Sequence, residues 1–296
     1  MKRFFIITGI LVSAILLFLF TFLIILPSSL IESWLEDGLK EKTGLTFVAE
    51  GFQKSPPFGF YMERVIISPI NTPDKSIRGQ AFGDGFQDRI KNPLFTFDKV
   101  QCRLSPSSIF SGGIKIFING SAGDGRLEGA VFFKMDDTLL DIKASNIYLP
   151  YLDSIGLNKI VFNGQAHTVF SENGCPSGII KAEGKDAKAV KINIMGFDVP
   201  FGEIKQTGMA IEMSECKILL EGLWIEGEGL SARLQGEISL DATIKNSPIN
   251  MTLDIIPGRL FRENGLILAI IAGYRKSANN YSIPIKGTLG APVMAR

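Results

Sequence analysis

The sequence predicts a mainly β protein: an N-terminal transmembrane helix, then an elongated, curved antiparallel sheet shaped as a groove, with a few short helices. Three observations lead there. Phe4 to Leu26 contains no charged residue. From Leu45 onward apolar and polar residues alternate with a period of two. The alternating segments are bounded by Gly, Asn, Asp and Pro with mostly short spacers, which join antiparallel neighbours, since parallel ones need long crossovers.

The first apolar run is long enough to cross a hydrocarbon core of about 30 Å at about 1.5 Å per helical residue. Phe4, Leu11, Leu17, Phe22 and Leu26 mark its length. Lys2 and Arg3 precede it, so the positive-inside bias keeps the amino terminus in the cytoplasm and sends the rest across. A cleaved signal peptide would have a shorter apolar core and a small-x-small site, and Pro27-Ser28-Ser29-Leu30-Ile31 offers none. An uncleaved anchor is the favoured reading. Gly265 to Tyr274 is the next apolar stretch and is too short to span. The expected organisation is a cytoplasmic stub and anchor over 1–29, a juxtamembrane amphipathic helix over 30–44, and a β-rich domain over 45–296. In the helix, Ile31, Trp34, Leu35 and Leu39 recur at helical spacing, and the helix suits either the interface or the domain surface.

Within the domain the strands read "LTFVA", "ERVIIS", "LFTFDKVQCRL", "IKIFING", "GRLEGAVFF", "TLLDIKASNI", "KIVFNGQAHTVF", "AKAVKINIM", "GMAIEM", "CKILLEGLWIEG", "LSARLQGEISLDATI" and "PINMTLDII". Alternation assigns a dry face. Ile114, Ile116, Leu127, Val131, Phe133, Leu140 and Ile142 supply its first half. Ile192, Ile194, Ile211, Ile218, Leu220, Leu234, Ile238 and Leu240 continue it, and Met251, Leu253, Ile255, Ile285 and Leu289 close it. Helical patterning interrupts at Ser105 to Gly113, Tyr148 to Gly156 and Pro257 to Ser277. Asn71 to Asn92 is a glycine-rich, charged loop. In the tail, "YSIPIKGTLGAPVMAR" reads as a last strand bent at Gly287, with Pro292 ending the pairing for want of an N–H.

Several function classes drop out. Setting Lys2 and Arg3 aside, the 31 basic residues fall to 29 against 30 acidic ones, so no basic face for nucleic acid is expected. His167 is the one histidine, and there is neither a CxxC nor a G-x-S-x-G. "GIIKAEGKD" misses the phosphate-loop spacing, carries Asp186 where Ser or Thr must bind magnesium, and reads as a turn. "GDGFQD", with Asp84 and Asp88, lacks the staggered ligands of a calcium loop. No catalytic residue, metal or cofactor is expected. Cys102, Cys175 and Cys216 allow one pair and one free thiol, and alternation puts Cys102 and Cys216 on the apolar face as small hydrophobes. The 22 Phe against five Tyr fit two arrangements equally, a core between two sheet layers or an open trough for acyl chains.

The order "VPFGEIKQTGMAIEMSECKILLEGLWIEGEGLSARLQGEISL", "SPINMTLDIIPG", a helix and "YSIPIKGTLGAPVM" resembles the type II secretion system protein N family. More distantly it is similar to the AsmA-like inner-membrane proteins of Gram-negative bacteria. The resemblance covers the anchor and roughly residues 100 to 296, and does not reach the loop after Pro69. It implies a single-pass inner-membrane protein with a periplasmic β domain and, as partners, the inner membrane and other secretion-machinery proteins. The more distant likeness implies phospholipid as a ligand of the apolar face. Neither carries a catalytic residue with it.

Overall fold

A computed structural model describes residues 27–30, 32–33, 36–37, 45–55, 58–69, 93, 95–148, 160–171, 175–188, 192–194, 197–199, 202–241, 243–262, 268–269 and 271–295. The anchor, the Asn71 to Asn92 loop with Asp84 and Asp88, and the Leu149 to Gly156 part of the second helical reading lie outside them. Among the described residues no helix is long and apolar enough to cross a membrane.

Sixteen strands form one antiparallel sheet. In chain order they begin with β1 (Leu45–Glu50), β2 (Gln53–Ser55), β3 (Gly59–Pro69), β4 (Phe95–Ser105), β5 (Gly113–Ala122) and β6 (Gly125–Lys134). Then come β7 (Asp137–Tyr148), β8 (Val161–Ser171), β9 (Pro176–Lys188), β12 (Glu203–Ser214), β13 (Lys217–Gly227), β14 (Leu230–Ser239) and β15 (Pro248–Pro257). The last are β16 (Arg275–Ser277), β17 (Asn280–Thr288) and β18 (Ala291–Met294). A separate two-stranded hairpin, β10 (Ile192–Ile194) with β11 (Phe197–Val199), stands between β9 and β12. The path runs β1-β3-β4-β5-β6-β7-β8-β9-β12-β13-β14-β15-β17-β16, with β2 on β3 and β18 on β17. It is a meander in which the long strands pair in chain order, with β2, the β10–β11 hairpin and β16 as excursions between them.

The alternation that predicts the strands survives at nearly every one, with four corrections. "GIIKAEGKD" is the middle of β9, not a turn, pairing with β8 and β12 on both sides. "AKAVKINIM" splits between the end of β9 and the β10–β11 hairpin, so Ile192 and Ile194 leave the sheet. Pro292 does not stop the pairing: the chain reverses at Leu289-Gly290 and β18 returns along β17, Gly287 facing Pro292 and Ile285 facing Met294. β18 is an edge strand, where a missing N–H is tolerated. Cys216 is not in a strand but in the β12–β13 turn, where Glu215 and Cys216 have φ of 48° and 60°. Both central residues of a type I′ turn need positive φ.

Register shifts interrupt the ladder in β4 between Asp98 and Gln101, in β7 between Ala144 and Ile147, and in β12 and β13. The first two contain the positive-φ residues Lys99 and Asn146, and the Asn146 backbone N–H donates to Asn163 Oδ1 at 3.0 Å. Bulges bend a strand and increase its twist. Glycine does the same at Gly236, φ 147°, where a Cβ would lie 2.5 Å from Met251 Cα, and at Gly287, φ 106°. A flat single sheet would leave its apolar side chains open to water, and irregularities of this kind permit a sheet to twist and bend.

Two buried clusters close parts of the apolar face. One gathers Ala49, Met62, Val65, Phe97, Val100, Ala122 and Ile147. The other gathers Ile160, Ile204, Leu230, Ile255, Tyr281 and Ile283 beneath Phe261 and Ile271, Phe261 lying in a helical turn at Arg259–Arg262. In the third helical reading Arg259–Arg262, Leu268, Ala269 and Ile271 are helical, Ala272–Tyr274 is a 3-10 turn and the end is strand β16; 263–267 and 270 lie outside the described residues. The first is a 3-10 turn, Pro106–Ser111. Near the start of the described chain, Ser28–Leu30 is helical and Ser33 Oγ donates to the Leu30 carbonyl.

Candidate functional site

Cross-strand register sorts the apolar side chains into continuous rows. One row runs Leu104, Ile116, Val131, Leu140, Thr168, Gly178, Met213, Ile218, Ile238, Ile249, Gly287. The next runs Cys102, Ile118, Gly129, Ile142, Ala166, Ile180, Ile211, Leu220, Gly236, Met251, Ile285. A third holds Leu127, Ala144, Gly164, Ala182, Met209, Leu223, Leu234, Leu253 and Ile283. Neither of the first two contains a charged residue across its eleven strands, a breadth of about 48 Å at the usual spacing of about 4.8 Å.

Most of the side chains read from sequence as the dry face fall in these rows or beside them: Ile114 and Phe133 flank the first row, and Ile255 lies between Ala232 and Tyr281. Leu240 lies just past β14, its N–H donating to the Cys216 carbonyl, and Leu289 is in the exposed β17–β18 turn. Through the middle strands the row residues Ile116, Val131, Leu140, Ile142, Ala166, Ile180, Ile211 and Leu234 are half-buried, while Thr168, Met213 and Leu220 are buried. Such a surface can take up apolar ligand area worth about 25 cal/mol per Å².

Cys102 belongs to this face, between Phe60 and Ile118 in register. Burial pushes its thiol up to about 11. Charging the thiolate there means desolvating it, so the folded state holds the proton more tightly than the unfolded chain. The resulting stability is complete below the ordinary thiol value of 9.0 and is lost as the pH climbs through about 11. Cys102 is expected to resist alkylation at pH 8 in the native protein and to react at once in urea. Equal rates in both conditions would remove it from the apolar face.

The opposite face carries the charged side chains, with the exposed Phe117, Ile179 and Leu219 among them. His167 is exposed on β8, its Nδ1 3.9 Å from Asp141 Oδ2 on the neighbouring strand, a weak surface pair. Arg64 meets Glu50 at 3.3 Å and Asp98 at 3.4 Å, and Lys217 meets Glu237 at 2.9 Å. A shallow depression of about 470 Å³ on this face is lined by Trp224, Glu226, Arg233, Asp254 and Asn280. Arg233 donates to the Glu221 carbonyl at 3.0 Å. Among the described residues no three potential metal ligands come together.

Sequence patterning missed the pairing of Cys175 with Cys216, whose Cα atoms are 4.6 Å apart. The two are 41 residues apart in the chain, and only the β9–β12 register brings them together.

Compared with protein-family models, with curated proteins and with solved structures, the chain has no match.

Proposed function

We propose that this is an inner-membrane-anchored periplasmic protein whose apolar sheet face holds the acyl chains of phospholipid. The observation that carries the reading is the pair of charge-free rows, eleven strands broad, in which Ile116, Val131, Leu140, Ile142, Ala166, Ile180 and Ile211 stay half-buried beside the buried Thr168, Met213 and Leu220. A core between two sheet layers would bury those side chains, whereas a ligand surface leaves area to be covered on binding. The reading needs no catalytic residue, metal or nucleic acid.

A second reading, component of the type II protein secretion machinery, has its own support. The sheet is open, with β1 at one edge and β16 and β18 at the other. Edge strands offer unpaired backbone groups to a strand from another subunit. The order of strands and tail that resembles the secretion family points the same way.

A photocrosslinking residue at Leu140, on the apolar face, separates the two in native membranes. Phospholipid adducts at Leu140, and none at the neighbouring polar-face position Asp141, are the expected result. Protein adducts at Leu140 identified as secretion subunits, without lipid, favour the second reading. Equal lipid labelling at both positions sinks the first.

A further inference from the structure

Because the sheet is a meander, its turns fall on two rims. One rim carries the turns 50–59, 105–113, 134–137, 171–176, 214–217, 239–248 and 288–291; the other carries 122–125, 227–230 and the long connections. The rims differ. On the long-connection rim the apolar face ends in buried side chains: Ala122, Ile147, Ile160, Ile204, Leu230 and Tyr281.

On the short-turn rim, between β4 and β8, it ends in the open. Phe110 in the β4–β5 turn is 78% exposed and Met135 in the β6–β7 turn 95%. Just behind them Ile114, Phe133 and Phe170 are 50%, 44% and 47% exposed. Register places these three in one row with Thr138, adjoining the charge-free row of Ile116, Val131 and Leu140.

We infer that this rim, Phe110, Ile114, Phe133, Met135 and Phe170, rests on a zwitterionic phospholipid surface. The inference deepens the acyl-chain reading and rests on it in part. Exposed large apolar side chains concentrated at one place mark an interaction surface. Their arrangement suits a bilayer better than a protein pocket. The two turns sit two strands apart, about 10 Å, along one rim, so both can enter a soft planar phase together. The charges among them balance: Lys115 and Lys134 against Asp136 and Asp137. A headgroup layer carrying both signs matches that set, and an anionic surface gains nothing from it.

The two lysines are also placed for an interface. Lys115 Nζ lies 4.9 Å from the Phe117 ring centre and Lys134 Nζ 5.3 Å from that of Phe132, an ammonium over an aromatic face beside the apolar turns. Continuity supplies the last argument. A chain leaving the bilayer past Phe133 and Phe170 meets Val131 and Leu140 next, with no charged side chain in the row.

The test uses the full chain reconstituted in phosphatidylcholine vesicles, with Cys102→Ala as background. Single nitroxide labels go on Phe110→Cys, Met135→Cys and, on the opposite rim, Asp124→Cys. Labels at 110 and 135 are expected to be several-fold more accessible to oxygen than to a water-soluble nickel chelate, and the label at 124 to show the reverse. Both labelled turns are exposed, so folding is not at stake; a Phe170→Ser variant, which should shift the 135 label toward water, gives a second readout. Water-like labels at 110 and 135 overturn the inference, also when dipolar broadening shows the rim meeting a second copy. Water-like labels in protein that still yields lipid adducts at Leu140 defeat this inference alone. Immersed labels without such adducts leave the rim standing and sink the trough.

Discussion

Ile283→Asp is expected to destabilise the domain by roughly 5 kcal/mol, enough to unfold a protein of ordinary marginal stability. Ile283 lies in the middle of β17, opposite Leu253, and is 3% exposed. It packs in the cluster that also holds Ile160, Ile204, Leu230, Ile255, Phe261, Ile271 and Tyr281. Removing the aliphatic side chain costs about 2–3 kcal/mol of transfer and packing. The new carboxyl has no partner there and must either stay charged without water or take up a proton. Its pKa is therefore raised in the folded state, and the damage grows as the pH rises above the unfolded aspartate's value of about 3.9. Urea unfolding followed by far-UV circular dichroism should show a large drop in midpoint at pH 7 and a smaller one at pH 4. Ile285→Asp, on a half-buried position two residues on, should cost distinctly less. A midpoint for Ile283→Asp no lower than that of Ile285→Asp would mean that the tail is not built into the core.

The fold was legible where one physical signal sufficed. Strands from Phe95 to Tyr148 and from Glu203 to Pro257 alternate because each has a wet and a dry face, and a period of two is visible in any one strand. It was illegible where a local signal and the tertiary context conflict. Gly178 and Gly184, with five charged residues from Gly178 to Lys188, make β9 look like a turn, yet neighbours on both sides supply its hydrogen bonds. Glu215-Cys216 makes a type I′ turn without the Asn-Gly or Asp-Gly pair that normally announces one. Pro292 looks like a stop because a proline ends pairing in a central strand, and nothing local tells that β18 is an edge.

For the candidate site, the face was legible and its extent was not. Alternation tells that Leu140 and Ile211 lie on dry sides of their strands, but only the register through β8 and β9 places them in adjoining rows of one surface. The exposed rim needs still more. Phe110 and Met135 are apolar residues in turns, ordinary one at a time, and they matter because the meander puts both turns on the same edge of the sheet.

Removing the Cys175–Cys216 bridge is the other change with a large expected effect, about 4 kcal/mol in the chain-entropy account for a loop of this length. The bridge closes a loop with a sequence separation of 41. Cys175 stands one residue before β9, and Cys216 sits in the β12–β13 turn. Between them the chain departs into the β10–β11 hairpin and returns, so β9 and β12 must find each other across an excursion that ordinary hairpin neighbours do not have. In the unfolded chain the bridge holds the ends of that excursion together, which lowers the entropy lost when β12 pairs. The folded strands keep their ten paired positions with or without it. Cys175→Ala with Cys216→Ala should therefore lower the urea midpoint, and reduction of the unsubstituted protein should lower it by the same amount. Reduction should leave the double variant unchanged. Because such bridges persist in oxidising compartments, protein retained in a reducing cytosol should behave like the double variant. If reduction leaves the midpoint of the unsubstituted protein where it was, the two cysteines are unpaired in solution and the β9–β12 join stands on its backbone ladder alone.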